Sequence, residues 1–102
     1  MIEVNKNNFE EEVINSKIPV LADFNANWCG PCKMTKPILE ELASESKNYK
    51  IVSINIDDED ELTEKYNVSS IPCLILFKKG KEITRSIGFK SKDEIEKILG
   101  GN

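Results

Sequence analysis

One short apolar run, VLADF at residues 20–24, constrains the fold of this chain more than any other feature. Compact apolar runs of this kind are typical of a central strand that is buried on both faces of a sheet. Such a strand requires secondary structure packed on each side of the sheet. Asp23 is the anomaly in the run, because it is the only charged residue in an otherwise apolar strand.

The segments around this strand alternate between strand and helix patterns. Strands are predicted at residues 2–4, 20–24, 51–56, 73–77 and 82–88, and helices at 9–14 and 28–49, in the acidic segment ending at 66, and at 91–100. Only four residues, 78–81, separate the last two strands, which is too few for a crossover and predicts an antiparallel hairpin. We therefore expect a mixed sheet with helices on its faces, a three-layer α/β/α arrangement.

Local signals mark where three of these helices begin or bend. Asn7 and Asn8 are candidate N-caps of the first helix. Pro37 removes a backbone donor inside the long second helix and predicts a kink there. Ser91 and Glu94 have the spacing of a capping box at the start of the last helix.

Charge and hydropathy exclude several classes of partner. The chain has 18 acidic and 14 basic residues, so its net charge of −4 disfavours binding to nucleic acid or to an anionic membrane. The longest apolar run, residues 71–77, is interrupted by Pro72, whereas a membrane-spanning helix needs about 20 apolar residues. The N-terminal residues lack the pattern of an export signal. We expect one cytoplasmic domain, residues 1–102.

The chain has three cysteines and no histidine, which limits the chemistry that it can perform. An odd cysteine count does not suit a secreted scaffold held by disulfides. The absence of histidine excludes Cys-His and Ser-His nucleophile pairs. Catalysis must therefore use thiols, carboxylates, hydroxyls or amines.

Two of the cysteines, Cys29 and Cys32, enclose Gly30-Pro31 between the apolar strand and the long helix. Unpaired N–H groups and the helix dipole favour an anion at such a position, and a thiolate is an anion. We expect Cys29 to lie at the exposed end of the turn as the attacking sulfur, and Cys32, one turn inward, to be the resolving sulfur. Gly30 permits a tight turn, and Pro31 suits a first helical turn.

Two other interpretations of the cysteine pair are weaker. A stabilising bridge over four residues constrains the unfolded chain by only about 2 kcal/mol, and cytosolic proteins rarely use one. A structural zinc site needs four ligands, and Cys73 is the only further thiol. A redox role remains the main hypothesis, and no metal is expected.

The segment Trp28-Cys29-Gly30-Pro31-Cys32-Lys33 resembles the thioredoxin family, and the resemblance covers nearly the whole chain. It extends through residues 20–24, Met34, residues 37–39, 54–57, 71–72 and 77–80, and Gly88. The resemblance implies the thioredoxin fold, a central five-stranded mixed sheet in the order 1-3-2-4-5 with four flanking helices. It also implies a general protein-disulfide reductase of the reducing class. Such a reductase needs no cofactor of its own and is recycled by a thioredoxin reductase.

The resemblance also assigns roles to residues outside the pair. Asp23 matches the buried carboxylate that takes the proton of the inner cysteine, and burial should raise its pKa. The alternative is a hydrogen-bonded strand carboxylate without a role in the reaction. Ile71-Pro72 matches a cis-proline loop that offers its backbone to an extended substrate segment, the alternative being a trans proline. The substrate surface implied around the exposed sulfur consists of Trp28, Ile56, Ile71, Ile87 and Gly88.

Three positions depart from the family pattern. Ser53 stands where a lysine often lies near the buried acid, and Asn25 replaces a tryptophan that usually follows the Asp-Phe pair. Cys73 replaces a threonine that is common after the cis-proline. We interpret Cys73 as a small buried residue that begins a strand, with a regulatory or cluster-binding role as the alternative.

We expect a monomer that acts on disulfide-containing protein substrates. The rival hypothesis is a protein-binding module that keeps the apolar surface without turnover, or a thiolate site for zinc or an iron-sulfur cluster. The presence of both cysteines of the pair argues against a protein-binding module without turnover.

Overall fold

The computed structural model describes residues 1–100, so the predicted domain end at residue 102 lies outside the described residues. In chain order the elements are β1 Ile2–Glu3, a π-helix Glu10–Ile14, β2 Val20–Asn25, α1 Gly30–Glu45, β3 Lys50–Asn55, α2 Asp60–Lys65, β4 Cys73–Lys78, β5 Lys81–Ile87 and α3 Lys92–Gly100. In this part of the chain no helix has the length and apolar character needed to cross a membrane.

The five strands form one mixed sheet in the order β1-β3-β2-β4-β5, which confirms the predicted order. Strand β3 lies parallel to both β1 and β2, whereas β4 is antiparallel to β2 and to β5. Every residue of β2 from Val20 to Phe24 is buried, as the apolar run predicts. The carboxyl ends of β2 and β3 therefore meet at one edge of the sheet, where α1 begins.

Helices cover both faces of the sheet and divide the core into two layers. On one face, Phe9 and Val13 from the N-terminal region and Leu62 of α2 pack against the sheet. On the other face, Leu39 of α1 and Ile95 of α3 do so. The three-layer α/β/α arrangement with four flanking helices is confirmed.

The long helix is shorter than its predicted span of residues 28–49. Cys29 has an extended backbone and serves as the N-cap, so α1 begins at Gly30. At the other end Ser46 is also extended, and the side chain of Tyr49 folds back to donate its hydroxyl to the carbonyl of Leu42 at 2.9 Å. The apolar pattern places the C-terminal end of α1 too far along the chain, because Tyr49 packs into the same core from outside the helix.

The two predicted capping motifs have different outcomes. Ser91 and Glu94 form the capping box at the start of α3: the Ser91 N–H donates to Glu94 Oε1 at 3.0 Å, and the Glu94 N–H donates to Ser91 Oγ at 3.2 Å. The prediction that Asn7 or Asn8 caps the first helix is wrong. The side chain of Asn5 instead accepts hydrogen bonds from both of their N–H groups in the preceding turn.

Candidate redox site at the start of helix α1

Cys29 and Cys32 are joined by a disulfide at the N-terminus of α1, with their Cα atoms 5.2 Å apart. The Cys32 N–H donates to Cys29 Sγ at 3.2 Å. The first turn of α1 contains no acidic residue, although acidic side chains are usually favoured there by the helix dipole. The sulfur of Cys29 therefore occupies the position in which this helix stabilises negative charge.

The two cysteines do not differ in exposure, and the expectation that Cys29 is exposed is wrong. Cys29 is 5% exposed and Cys32 is 4% exposed. Both belong to a small apolar cluster with Ala26, against which Ile56 and Ile71 pack. The N-cap position of Cys29, and not its accessibility in the disulfide form, distinguishes the two sulfurs.

Exposed apolar groups surround this cluster. Trp28 precedes Cys29, is 67% exposed, and donates its indole N–H to Asp57 Oδ2 at 2.9 Å. That bond restrains the indole ring, while most of the side chain stays exposed to solvent. Ile87, at the end of β5, is 52% exposed and is paired in register with Cys73.

The loop that contains Pro72 lies at the same edge of the sheet. The peptide bond between Ile71 and Pro72 is cis, as the family resemblance implies. The Gly88 N–H donates to the carbonyl of Pro72 at 2.8 Å, which ties the end of β5 to this loop. Gly88 has φ +91°, a backbone conformation that glycine adopts without strain. The structure thus brings together the residues that were predicted to surround the active-site sulfur.

Asp23 lies in β2 and is 2% exposed. Burial raises its pKa from 3.8 to about 7, and the nearby Glu3 acts in the same direction. The hydrogen bond from Asn25 and the charge of Lys36 lower the pKa of Asp23, but they offset only part of the effect of burial. Asp23 therefore exchanges a proton near neutral pH, as required of a general base in this range.

A cleft of about 280 Å³ lies between this carboxylate and Cys32. Its lining includes Asp23, Cys32 and Ser53, together with Lys33 and Lys36 from α1. The volume is sufficient for several water molecules, and the lining is polar enough to bind them. Cys32 and Asp23 thus face one space through which a proton can move.

Cys73 lies apart from the redox pair. It is a free thiol that is 1% exposed, and it packs in the core layer on the π-helix side of the sheet. Burial raises the pKa of its thiol, although the charge of Arg85 acts in the opposite direction. Within residues 1–100, no group of three or more histidine, cysteine, aspartate or glutamate side chains is placed to hold a metal ion.

Two polar contacts of the site are not among the predictions from the sequence. Asn25 departs from the family pattern, and its side chain bonds to Asp23 and to Ser53. The strand pattern is a signal for the first contact, since residues two apart in a strand project to the same face. Asp57 belongs to the segment 54–57 that resembles the family, but no local pattern pairs it with the Trp28 indole, because only the fold brings the two together.

Comparisons with known proteins agree with this geometry. A family model described as Thioredoxin matches residues 1–100. The chain is 48% identical over 96 residues to a thioredoxin of Chlamydia trachomatis, covering 94% of this chain and 92% of the relative. It is 41% identical over 100 residues to a thioredoxin of Haemophilus influenzae, covering 97% and 94%. It is 39% identical over 100 residues to a thioredoxin of Rickettsia bellii, covering 97% and 95%.

Proposed function

This chain belongs to the thioredoxin family and is a thiol–disulfide oxidoreductase, and we propose that Cys29, Cys32 and Asp23 carry its reduction of protein disulfides. The observation that carries this proposal is the disulfide between a cysteine at the N-cap of α1 and a cysteine one turn later. That arrangement provides one sulfur suited to a thiolate and a second sulfur within intramolecular reach.

The first step is attack by the Cys29 thiolate on one sulfur of a target disulfide. The target S–S bond breaks, its second sulfur leaves as a thiolate and takes a proton from solvent, and a mixed disulfide joins Cys29 to the target. The helix N-terminus and the Cys32 N–H stabilise the anionic sulfur before it attacks.

The second step releases the target. The Cys32 thiol gives its proton to the Asp23 carboxylate across the cleft, and its sulfur attacks Cys29 Sγ. The mixed disulfide breaks, and the target leaves as a second thiolate that is then protonated. The target has gained two electrons, the cysteine pair has lost two and is again a disulfide, and Asp23 returns its proton to solvent.

Proximity makes the second step efficient. Because Cys32 is held one turn from Cys29, resolution is intramolecular and proceeds with a high effective molarity. Effective molarities of about 10⁵ M or more are reached in well-oriented systems, far above the concentration of any competing thiol. Removing Cys32 should therefore affect release of the target far more than its capture.

The exposed apolar groups around the pair form the proposed substrate surface. We assign to it Trp28, Ile56, Ile71, Pro72, Ile87 and Gly88, with Gly30 and Pro31 setting the geometry of the turn. The cis-proline loop lies next to the disulfide and is suited to pair its backbone with an extended target segment. Backbone pairing would accept many target sequences, as expected of a general reductase.

The family implies disulfide-containing protein substrates and recycling by a reductase, here proposed to be a thioredoxin reductase. We further propose that the chain acts as a monomer in the cytoplasm, where thiols are kept reduced. Its net charge of −4 supports a mode of action without nucleic acid or membrane partners.

Cysteine variants test the assigned roles. Cys32→Ser should capture targets through Cys29 without releasing them, so mixed disulfides should accumulate on a non-reducing gel. Cys29→Ser should trap almost nothing, because it lacks the sulfur at the N-cap. The measurements are reduction of insulin disulfides with dithiothreitol as the electron source, and trapping in a cell extract.

Cys73→Ser is the matched control, because it removes a thiol outside the redox pair. It should retain most of the reductase activity. Loss of turnover in folded Cys73→Ser, or equal trapping by Cys29→Ser and Cys32→Ser, would contradict the proposed roles.

A further inference from the structure

The side-chain amide of Asn25 makes an unusual set of contacts beside the buried carboxylate. Its Nδ2 lies 2.8 Å from Ser53 Oγ, 2.9 Å from the carbonyl oxygen of Asp23 and 3.3 Å from Asp23 Oδ2. The reverse orientation of the amide would place its oxygen against a carbonyl and a carboxylate that can only accept, so the donor orientation is the one that the surroundings require.

The register of the sheet explains why these groups meet. Asp23 pairs with Ser53 across parallel strands β2 and β3, and Asn25 lies two residues further along β2 on the same face. Asn25 is half-buried and stands at the end of its strand. Its amide thus spans both strands at the edge where Cys32 lies.

The contacts leave the two oxygens of the Asp23 carboxylate in different states. Oδ2 accepts the long hydrogen bond from Asn25, whereas Oδ1 is buried and has no hydrogen-bond partner within the described chain. Burying a carboxylate oxygen without a hydrogen bond costs free energy, so an unpartnered oxygen in a folded protein calls for an explanation. Asp23 and Cys32 line the same cleft, and Oδ1 is the carboxylate oxygen that has no hydrogen bond to lose when it accepts a proton.

We propose that Asn25, anchored by Ser53, is a positioning residue that holds Asp23 through Oδ2 and leaves Oδ1 free to receive the Cys32 proton. This inference rests on the proposed role of Asp23 in the second step. The amide is neutral, so it orients the carboxylate and stabilises its charged form without forming an ion pair. Besides Cys32, the titratable and charged groups coupled to Asp23 are Glu3 on β1, Lys36 on α1 and Cys73 on β4, and Lys33 lines the same cleft.

Removing the amide should change the ionisation of Asp23. In Asn25→Ala the charged carboxylate loses its side-chain donor, so its pKa should rise by about half to one unit, less than for a short charge-assisted hydrogen bond because the donor lies 3.3 Å from Oδ2. From a starting pKa of about 7, the ionised fraction at pH 7 falls about two- to fivefold. Resolution of the mixed disulfide should slow by the same factor at pH 7 and recover near pH 9.

The direct measurement is a titration of the Asp23 carboxyl by carbon NMR, followed from pH 4 to 10 in the dithiol and disulfide forms. Ser53→Ala removes the anchor without touching Asn25 or Asp23, and should raise the pKa of Asp23 by a smaller amount. It also provides a second variant if Asn25→Ala does not fold. Asn48→Ala, an exposed amide that does not line this cleft, is the matched control and should leave the titration unchanged.

Kinetics in an Asp23→Asn background distinguish this inference from the proposed function. Asn25→Ala should add no further slowing once the carboxylate is gone. An unchanged Asp23 titration in folded Asn25→Ala, or equal slowing with and without the carboxylate, overturns the positioning role. A normal resolution rate in Asp23→Asn alone would instead contradict the proposed role of Asp23.

Discussion

At the residue scale, burial of Asp23 couples the chemistry of the site to the stability of the fold. The folded-state pKa of about 7 lies above the ordinary value of 3.8, so between these values the folded protein binds more protons than the unfolded chain. Stability therefore falls as the pH rises through this window. Above pH 7 the full cost of the buried charge is about 4 kcal/mol, from about 1.4 kcal/mol per pKa unit.

Asp23→Asn should therefore stabilise the protein in a pH-dependent way while slowing disulfide reduction. The gain in unfolding free energy should approach about 4 kcal/mol at pH 8 and shrink to about 0.6 kcal/mol at pH 4, where the folded carboxyl is protonated and the unfolded one is only partly ionised. Urea unfolding at the two pH values, alongside insulin reduction, measures both effects.

The exposed carboxylate Asp58 provides the control, and Asp58→Asn should change stability by only about 0.5 kcal/mol. A gain in Asp23→Asn that is equal at pH 4 and pH 8 would mean that folding does not raise the pKa of this carboxylate.

At the element scale, the hairpin between β4 and β5 depends on a two-residue turn in which both residues have positive φ. Lys79 and Gly80 have φ of +53° and +79°, the left-handed conformation that suits the twist of a tight hairpin. A Cβ atom on Gly80 would also lie 3.0 Å from the carbonyl oxygen of Ile14. The turn therefore needs glycine for both its backbone and its close packing against the π-helix.

Gly80→Ala should lower the free energy of unfolding by about 1–3 kcal/mol, the range for a side chain forced into such a conformation. Gly100→Ala is the control, since nothing lies within 4 Å of the added atom. Thermal unfolding measures the difference, and equal melting temperatures for the two variants would show that the turn tolerates a side chain. Reductase activity should be retained in both, because the turn lies outside the proposed site.

The predictions from sequence were accurate where one local pattern determines the outcome. The apolar run at residues 20–24 predicted a buried central strand, and Ser91 with Glu94 predicted the capping box. Local patterns failed where contacts between residues distant in the sequence determine burial. The fold buries Cys29 against Ile56 and Ile71, which lie far along the chain. The strand order and the cis-proline came from the family resemblance, because spacing alone does not specify either.

At the scale of the whole molecule, the redox state and the folding of the chain form one thermodynamic cycle. The Cys29–Cys32 disulfide closes a loop of four residues, which restricts the unfolded chain by about 2 kcal/mol in the chain-entropy model. In this cycle, the free energy by which the disulfide stabilises the folded protein equals the free energy by which folding disfavours reduction of the disulfide. About 2 kcal/mol corresponds to a factor of about 30 in that equilibrium.

We therefore expect the disulfide form to unfold at a higher urea concentration than the dithiol form at pH 7, with a difference of up to about 2 kcal/mol. The dithiol form recovers part of this difference, because the N-terminus of α1 stabilises the Cys29 thiolate by about 0.3–1 kcal/mol. The comparison belongs in a Cys73→Ser background, so that the third thiol cannot exchange with the pair after unfolding. A variant with serine at both positions 29 and 32 should unfold identically with and without dithiothreitol. If the dithiol form proves at least as stable as the disulfide form, native contacts of the free thiols must outweigh the entropy of the closed loop, and folding would then favour reduction of the pair.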